Sequence, residues 1–355
     1  MYINYYGLPP YSTNWDMRVL NQPILRYLCP LTEKKTVLFM YSRRLLRIKV
    51  MQVLYAYLKT ESPSLSHSEK ELLHSVKKSY DLYHYLLLLV IEVKNYALER
   101  IALARNKKRP THQDLHPNTR FVDNRIIHQL EESNELRKYT GHTGMSWVQY
   151  PELIRKLYRD MLDKDWYRKY MDGDEPDYAK DRELVVHFYH DLVLGSEELS
   201  GDLEEQSIYW NDELEFVVGM IIKTIQKFRA AQGENIRLMP MYKSSDDAEF
   251  TIRLFRKCLV HYDEYLKLIE AYSHNWDVER IAFMDNLLMV MAITEMTEFP
   301  EIPVRVTFDE YIEMAKYYST ERSSHFVNGV LDKIIQHLRG EKKIIKKGRG
   351  LIGEA

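Results

Sequence analysis

Apolar residues recur at three- and four-residue spacing along most of this chain. Starting at Ser42, the residues Leu46, Val50, Val53, Leu54 and Tyr57 fall on one stripe. That is the period of an amphipathic helix with one face on a core. Pro63 and the serines around it end the helix. A second pattern, from about Ser68 to Lys107, carries Leu72, Val76, Leu82, Leu86, Leu89 and Val90 on its inner side. Its centre, Leu86 to Ile91, is the longest apolar run, with Tyr83, His84, Glu92 and Lys94 beside it. A bilayer span needs about 20 apolar residues, so this run reads as a buried helix and not as a membrane span.

The residues around Pro117 read as a loop, and helices are predicted at about 120–138, 147–171 and 178–194. Met171 to Asp177 is a turn and Asp202 to Trp210 a polar loop, with helices at about 211–231 and 246–272 after them. Trp276 to Met296 is an apolar helix, with Val278, Ile281, Ala282, Leu288, Met289, Ala292 and Ile293 on its buried side. The link Glu298 to Pro303 is stiffened by two prolines. Thr307 to Glu310, T-F-D-E, has the form of a capping box, in which the Thr hydroxyl and the Glu carboxylate satisfy backbone N–H groups at a helix start. That helix runs to about Tyr318, and a last one begins at Ser323 or Ser324. No strand alternation and no internal repeat is visible, so the pattern predicts an all-α fold.

The last helix poses a question. It reads S-S-H-F-V-N-G-V-L-D-K-I-I, with Asn328 and Gly329 amid its apolar positions. Glycine inside a helix costs about 1 kcal/mol relative to alanine. Close approach of a neighbouring helix or of a bound partner would offset that cost.

Composition supports the helical reading. The chain has 355 residues, 45% hydrophobic and 29% charged, with only 13 Gly and 12 Pro. Length alone suggests about two domains. The 27 tyrosines suit half-exposed helix faces, since each buries a ring and keeps a wet hydroxyl. Residues 1–39, with Pro9, Pro10, Pro23 and Pro30, hold no lasting period and read as a disordered or loosely attached leader. Met40, just before the first patterned helix, is a candidate true start. Cys29 and Cys258 are the only cysteines, which fits a reducing cytoplasm and excludes a disulfide framework. Nothing after Met1 resembles a secretory signal.

Chemistry is sparse. His187 with His190 and Asp191, and His112 with His116, have helical ligand spacing but lack further ligands. No glycine-rich phosphate loop, nucleophile elbow or C-x-x-C occurs, so neither an enzyme nor a cofactor or metal protein is indicated. The net charge of −2 excludes indiscriminate nucleic-acid binding but leaves room for a local basic patch. Arg43, Arg44 and Arg47 form such a patch at a helix start, where the dipole favours anions, and Lys49 lies near them. They read either as phosphate contacts or as an ordinary solvated face. Lys342, Lys343, Lys346, Lys347 and Arg349 form a basic, flexible tail over 341–355, open to non-specific phosphate contact.

Three blocks resemble the NusB family of transcription antitermination factors. The first is R-R-L-L-R-I-K-V-M-Q-V-L-Y, Arg43 to Tyr55. The second is F-Y-H-D-L-V-L-G, Phe188 to Gly195. The third spans Trp276 to Ile334 and holds R-I-A, I-P-V-R-V-T-F-D-E-Y-I-E-M-A-K and F-V-N-G-V-L-D-K-I. Leu45 stands where the family carries another arginine. The resemblance implies a NusB-like helical domain of two subdomains over 40–340, with matched blocks at 43–58, 188–230 and 276–338. A helical insertion at about 60–180 departs from the pattern.

The resemblance also implies binding to boxA-type RNA of ribosomal RNA leaders, together with ribosomal protein NusE, and assembly on RNA polymerase with other Nus factors. No reaction, small-molecule substrate or membrane is implied. Arg43, Arg44, Arg47, Lys49, Phe326, Asn328 and Gly329 are then the candidate RNA-binding residues. Phe326 reads as a stacking ring or as core, and Gly329 as a close approach of helix or RNA backbone. Two other readings stand beside this one. One is a protein-interaction module without specific RNA binding. The other is an rRNA cytosine methyltransferase, whose α/β domain with a Gly-rich cofactor loop these residues do not supply.

Overall fold

The structure is a computed structural model that describes residues 39–173, 175, 177–210, 213–273, 282–320 and 322–353. The described residues are helical throughout, without strands. They divide into two compact units, and the chain enters one of them twice. The first unit comprises Tyr41–Val76 and the residues from Tyr242 onward, and the second comprises Lys77–Met241, inserted between them, with the residues just before Tyr41. This second unit overlaps the helical insertion expected at about 60–180 and extends past it to Met241. It includes the Phe188 to Gly195 block that the resemblance had set among the NusB-like elements. The leader falls almost wholly outside the described residues, as do Trp276 to Ile281.

In the first unit, α1 (Arg43–Lys59) packs against α11 (Ser245–Val260) and α13 (Phe283–Glu298). Helices α12 (Tyr262–Tyr272), α14 (Val304–Tyr318) and α15 (Ser323–Gly340) complete the bundle around α13. The reason α13 is central is its composition: Leu287 to Ile293 and Met296 are all fully buried. A helix apolar on every side can only be a core helix.

Helix α2 (Leu65–Arg105) starts in the first unit and continues into the second. Its run Leu86 to Ile91 is buried apart from a half-buried Leu88, as expected of a core helix. Beyond α3 (His112–Leu115), the inserted unit holds α4 (Arg125–Glu132), α5 (Asn134–Thr143), α6 (Pro151–Leu162) and α7 (Asp165–Met171). Then come α8 (Tyr178–His187), a π turn at Phe188–Val193, α9 (Glu197–Gln206) and α10 (Leu214–Gln226). The π turn accounts for Gly195, because a Cβ there would lie 2.8 Å from the Asp191 carbonyl oxygen.

Candidate nucleic-acid interface

Helix α1 begins after Ser42, whose hydroxyl accepts from the Leu45 N–H at 3.4 Å. The helical period places Arg43, Arg44 and Arg47 on one side of its first turns. Arg47 does not reach solvent. Its side chain is 3% exposed and lies fork to fork on Glu295 of α13, with Nε–Oε2 at 2.7 Å and Nη2–Oε1 at 2.6 Å. Thr307 donates to the same carboxylate at 2.8 Å and Tyr311 at 3.2 Å. Burial alone would lower the Arg47 pKa, but the charge and hydrogen bonds of Glu295 reverse that and raise it. Desolvating two charges is costly, and only a full set of hydrogen bonds offsets it.

Thr307 and Glu310 therefore do not form a capping box. Pro303 caps α14 four residues earlier than Thr307, and Thr307 lies inside the helix. Thr307 turns to the Glu295 carboxylate instead, and Glu310 to the arginines. Glu310 takes Arg44 fork to fork, with both contacts at 2.7 Å, and also lies 3.8 Å from Arg47.

Arg43 is the most open of the three, with its side chain 40% exposed. It donates to Asp247 at 3.0 Å and lies over the Phe250 ring at 5.1 Å. The cluster that reads in sequence as bare positive charge thus meets Glu295, Glu310 and Asp247. All three come from segments about 200 residues or more further along the chain. Arg47 is corrected from RNA ligand to core residue, and so is Lys49, which is 8% exposed. Arg43 and Arg44 remain at the surface, with their donors shared with carboxylates.

Helix α15 resolves the second half of the expected site. Phe326 is 7% exposed and packs in the core with Val327, Val330, Leu331 and Ile334, so the core reading of this ring holds. Asn328 is exposed. A Cβ on Gly329 would meet no atom within 4 Å. Among the described residues no neighbouring helix comes close enough to require the glycine. Arg322, His325, Asp332, Lys333 and Gln336 are exposed beside it, at helical spacing on one outward face.

The basic tail meets the Glu298 to Pro303 link at two points. Lys346 donates from Nζ to the Phe299 carbonyl and Lys347 from its backbone to the Pro300 carbonyl, both at 3.0 Å. Lys343 pairs with Glu341 at 2.8 Å. The chain ends its described part in a short 3-10 turn, Gly348–Leu351. A Cβ on Gly350 would overlap the Pro300 carbonyl oxygen, so this contact needs glycine. Lys342, Lys347 and Arg349 stay exposed. Among the described residues no group of three or more His, Cys, Asp or Glu is placed to hold a metal ion. No helix among them is long and apolar enough to cross a membrane.

Comparison with known proteins agrees with this architecture. The NusB family profile matches residues 220–336. The chain is 44% identical over 115 residues to the transcription antitermination protein NusB of Salinibacter ruber, covering 32% of this chain and 72% of that protein. It is 35% identical over 104 residues to NusB of Chloroherpeton thalassium, covering 29% of this chain and 49% of that protein. With NusB of Symbiobacterium thermophilum it shares 39% over 95 residues, covering 27% and 62%. The chain belongs to the NusB family. The profile match begins inside α10 and takes in most of the first unit's second segment, while most of the inserted unit lies outside it. No solved structure matches the chain.

Proposed function

We propose that this protein is a transcription antitermination factor that binds boxA-type RNA of ribosomal RNA leaders together with ribosomal protein NusE. The complex joins RNA polymerase with other Nus factors. One observation carries the reading: the family match falls on α11 to α15, the same helices that set Asn328 and Gly329 on an open outward face. An exposed asparagine can both donate to and accept from an unpaired base. A neighbouring glycine lets a nucleic-acid backbone come close. Arg43 and Arg44 supply phosphate contacts by exchanging carboxylate for phosphate, which presents the same fork-matching oxygens.

The reading assigns RNA and protein partners and no reaction. It is tested by transcription in vitro from a template with a boxA-bearing leader before a terminator, using the cognate polymerase, NusE and other Nus factors. Adding the protein should raise readthrough on this template and not on one with scrambled boxA. Equal readthrough on both templates would overturn it.

A further inference from the structure

The inserted unit contains a cavity of about 690 Å³ that the family reading does not use. That volume is ample for a small organic ligand. Helix α2 contributes Tyr80 and His84, and α5 contributes Tyr139. The three form one aromatic wall: His84 stacks on Tyr139 with centroids 3.7 Å apart, and Tyr80 meets Tyr139 edge-on at 5.3 Å. The stretch after α10 supplies Arg237, Leu238, Met239 and Pro240 to the lining and is pinned in place. Tyr80 donates to the Met239 carbonyl at 3.0 Å, the Met239 N–H donates to Tyr83 at 3.2 Å, and the Leu238 N–H donates to Glu135 at 2.8 Å.

The rim is basic. Lys138, Lys227 and Arg237 line it and are exposed, against the single carboxylate of Glu135. Lys138 and Arg237 form no ion pair among the described residues, unlike the three arginines of α1. Inside the cavity His84 is neutral, because burial pulls its pKa down to about 4. Its Nδ1 lies 2.9 Å from the Tyr80 carbonyl oxygen, to which it donates. The other ring nitrogen, Nε2, is thereby left as an acceptor.

An aromatic wall with an acceptor nitrogen, beside a rim of exposed cations, matches a ligand that joins a flat base to a phosphate. We propose that this cavity binds a nucleotide, its base against Tyr80 and Tyr139 and its phosphate on Lys138, Lys227 and Arg237. A free nucleoside monophosphate or one residue of a single-stranded RNA supplies the same chemistry.

The full chain is titrated by calorimetry with AMP, ribose 5-phosphate and an A6 RNA, and is photolabelled with 8-azido-AMP followed by peptide mapping. AMP should bind at least about tenfold more tightly than ribose 5-phosphate. The label should fall on the peptide carrying Tyr80 or Tyr139. K227Q/R237Q, at two exposed positions and with its fold checked by circular dichroism, should weaken binding by about tenfold or more. A6 RNA held more tightly than AMP through the same two residues identifies an RNA strand as the source, and equal affinity identifies the free nucleotide. The proposal is overturned if ribose 5-phosphate binds as tightly as AMP. It is also overturned if neither AMP nor A6 RNA responds to K227Q/R237Q. RNA binding that is lost in R43Q/R44Q but kept in K227Q/R237Q belongs to the other unit, and overturns the proposal if AMP binding is also kept in K227Q/R237Q.

Discussion

Arg47 and Glu295 carry most of what the sequence could not say. In sequence, Arg47 belongs to a basic cluster and Glu295 is a lone acid in an apolar helix, L-L-M-V-M-A-I-T-E-M. A carboxylate so placed has to find a buried cation, and this is the one signal that pointed to the pair. Glu295→Gln should cost about 3–5 kcal/mol in urea unfolding, because it leaves the Arg47 charge buried without its counter-ion. The double variant R47M/E295M should regain most of that loss. Gly329→Ala, by contrast, should stabilise the protein by about 0.5–1 kcal/mol, since its Cβ enters open space. The same change should weaken boxA RNA binding, a split that a purely structural glycine would not give.

At the scale of elements, the helices were legible and their ends less so. Leu46, Val50, Val53 and Leu54, and Leu82, Leu86, Leu89 and Val90, are buried as their spacing implied. The stretch expected as one helix at 120–138 is two, because Ser133 ends α4 and caps α5, accepting from the Leu136 N–H at 3.3 Å. Two others also break, before Asp165 and at His261. Periodicity persists through such breaks, since a kink keeps the apolar side inward. The capping box misled for a different reason: T-F-D-E fits the local rule, but Thr307 is drawn to the Glu295 carboxylate and Glu310 to Arg44. The contacts of the tail were not legible, because its acceptors are carbonyl oxygens of Phe299 and Pro300, which no side-chain pattern reveals. Gly350→Ala should therefore lower stability by about 1–3 kcal/mol in thermal unfolding by forcing the tail off this link.

The inserted unit gives a pH test of its core. The unfolded His84 imidazole takes a proton near pH 6.5 and the folded one only near 4. Stability from this group is therefore fully present above pH 6.5 and is lost as the pH falls toward 4. The loss is on the order of 3 kcal/mol, read by urea unfolding between pH 7 and pH 4. His84→Gln should flatten that dependence.

For the whole molecule, the family match over 220–336 covers most of the first unit's second segment and the end of the inserted unit, and the remainder of the inserted unit lies outside it. The sequence carried the family through short blocks. It could not carry the limits of the insertion, because helices inside and outside it share one period. The account rests on RNA recognition by the first unit. The most direct test is a titration of boxA RNA and a scrambled RNA with the full chain, with and without NusE, over a salt series. The account expects a preference for boxA that strengthens with NusE. For R43Q/R44Q it expects weaker binding with a salt slope shallower by about 1–2, one counterion for each phosphate that the variant no longer neutralises. Equal affinity for the two RNAs, or an R43Q/R44Q variant that binds boxA as well as the native chain, would contradict it.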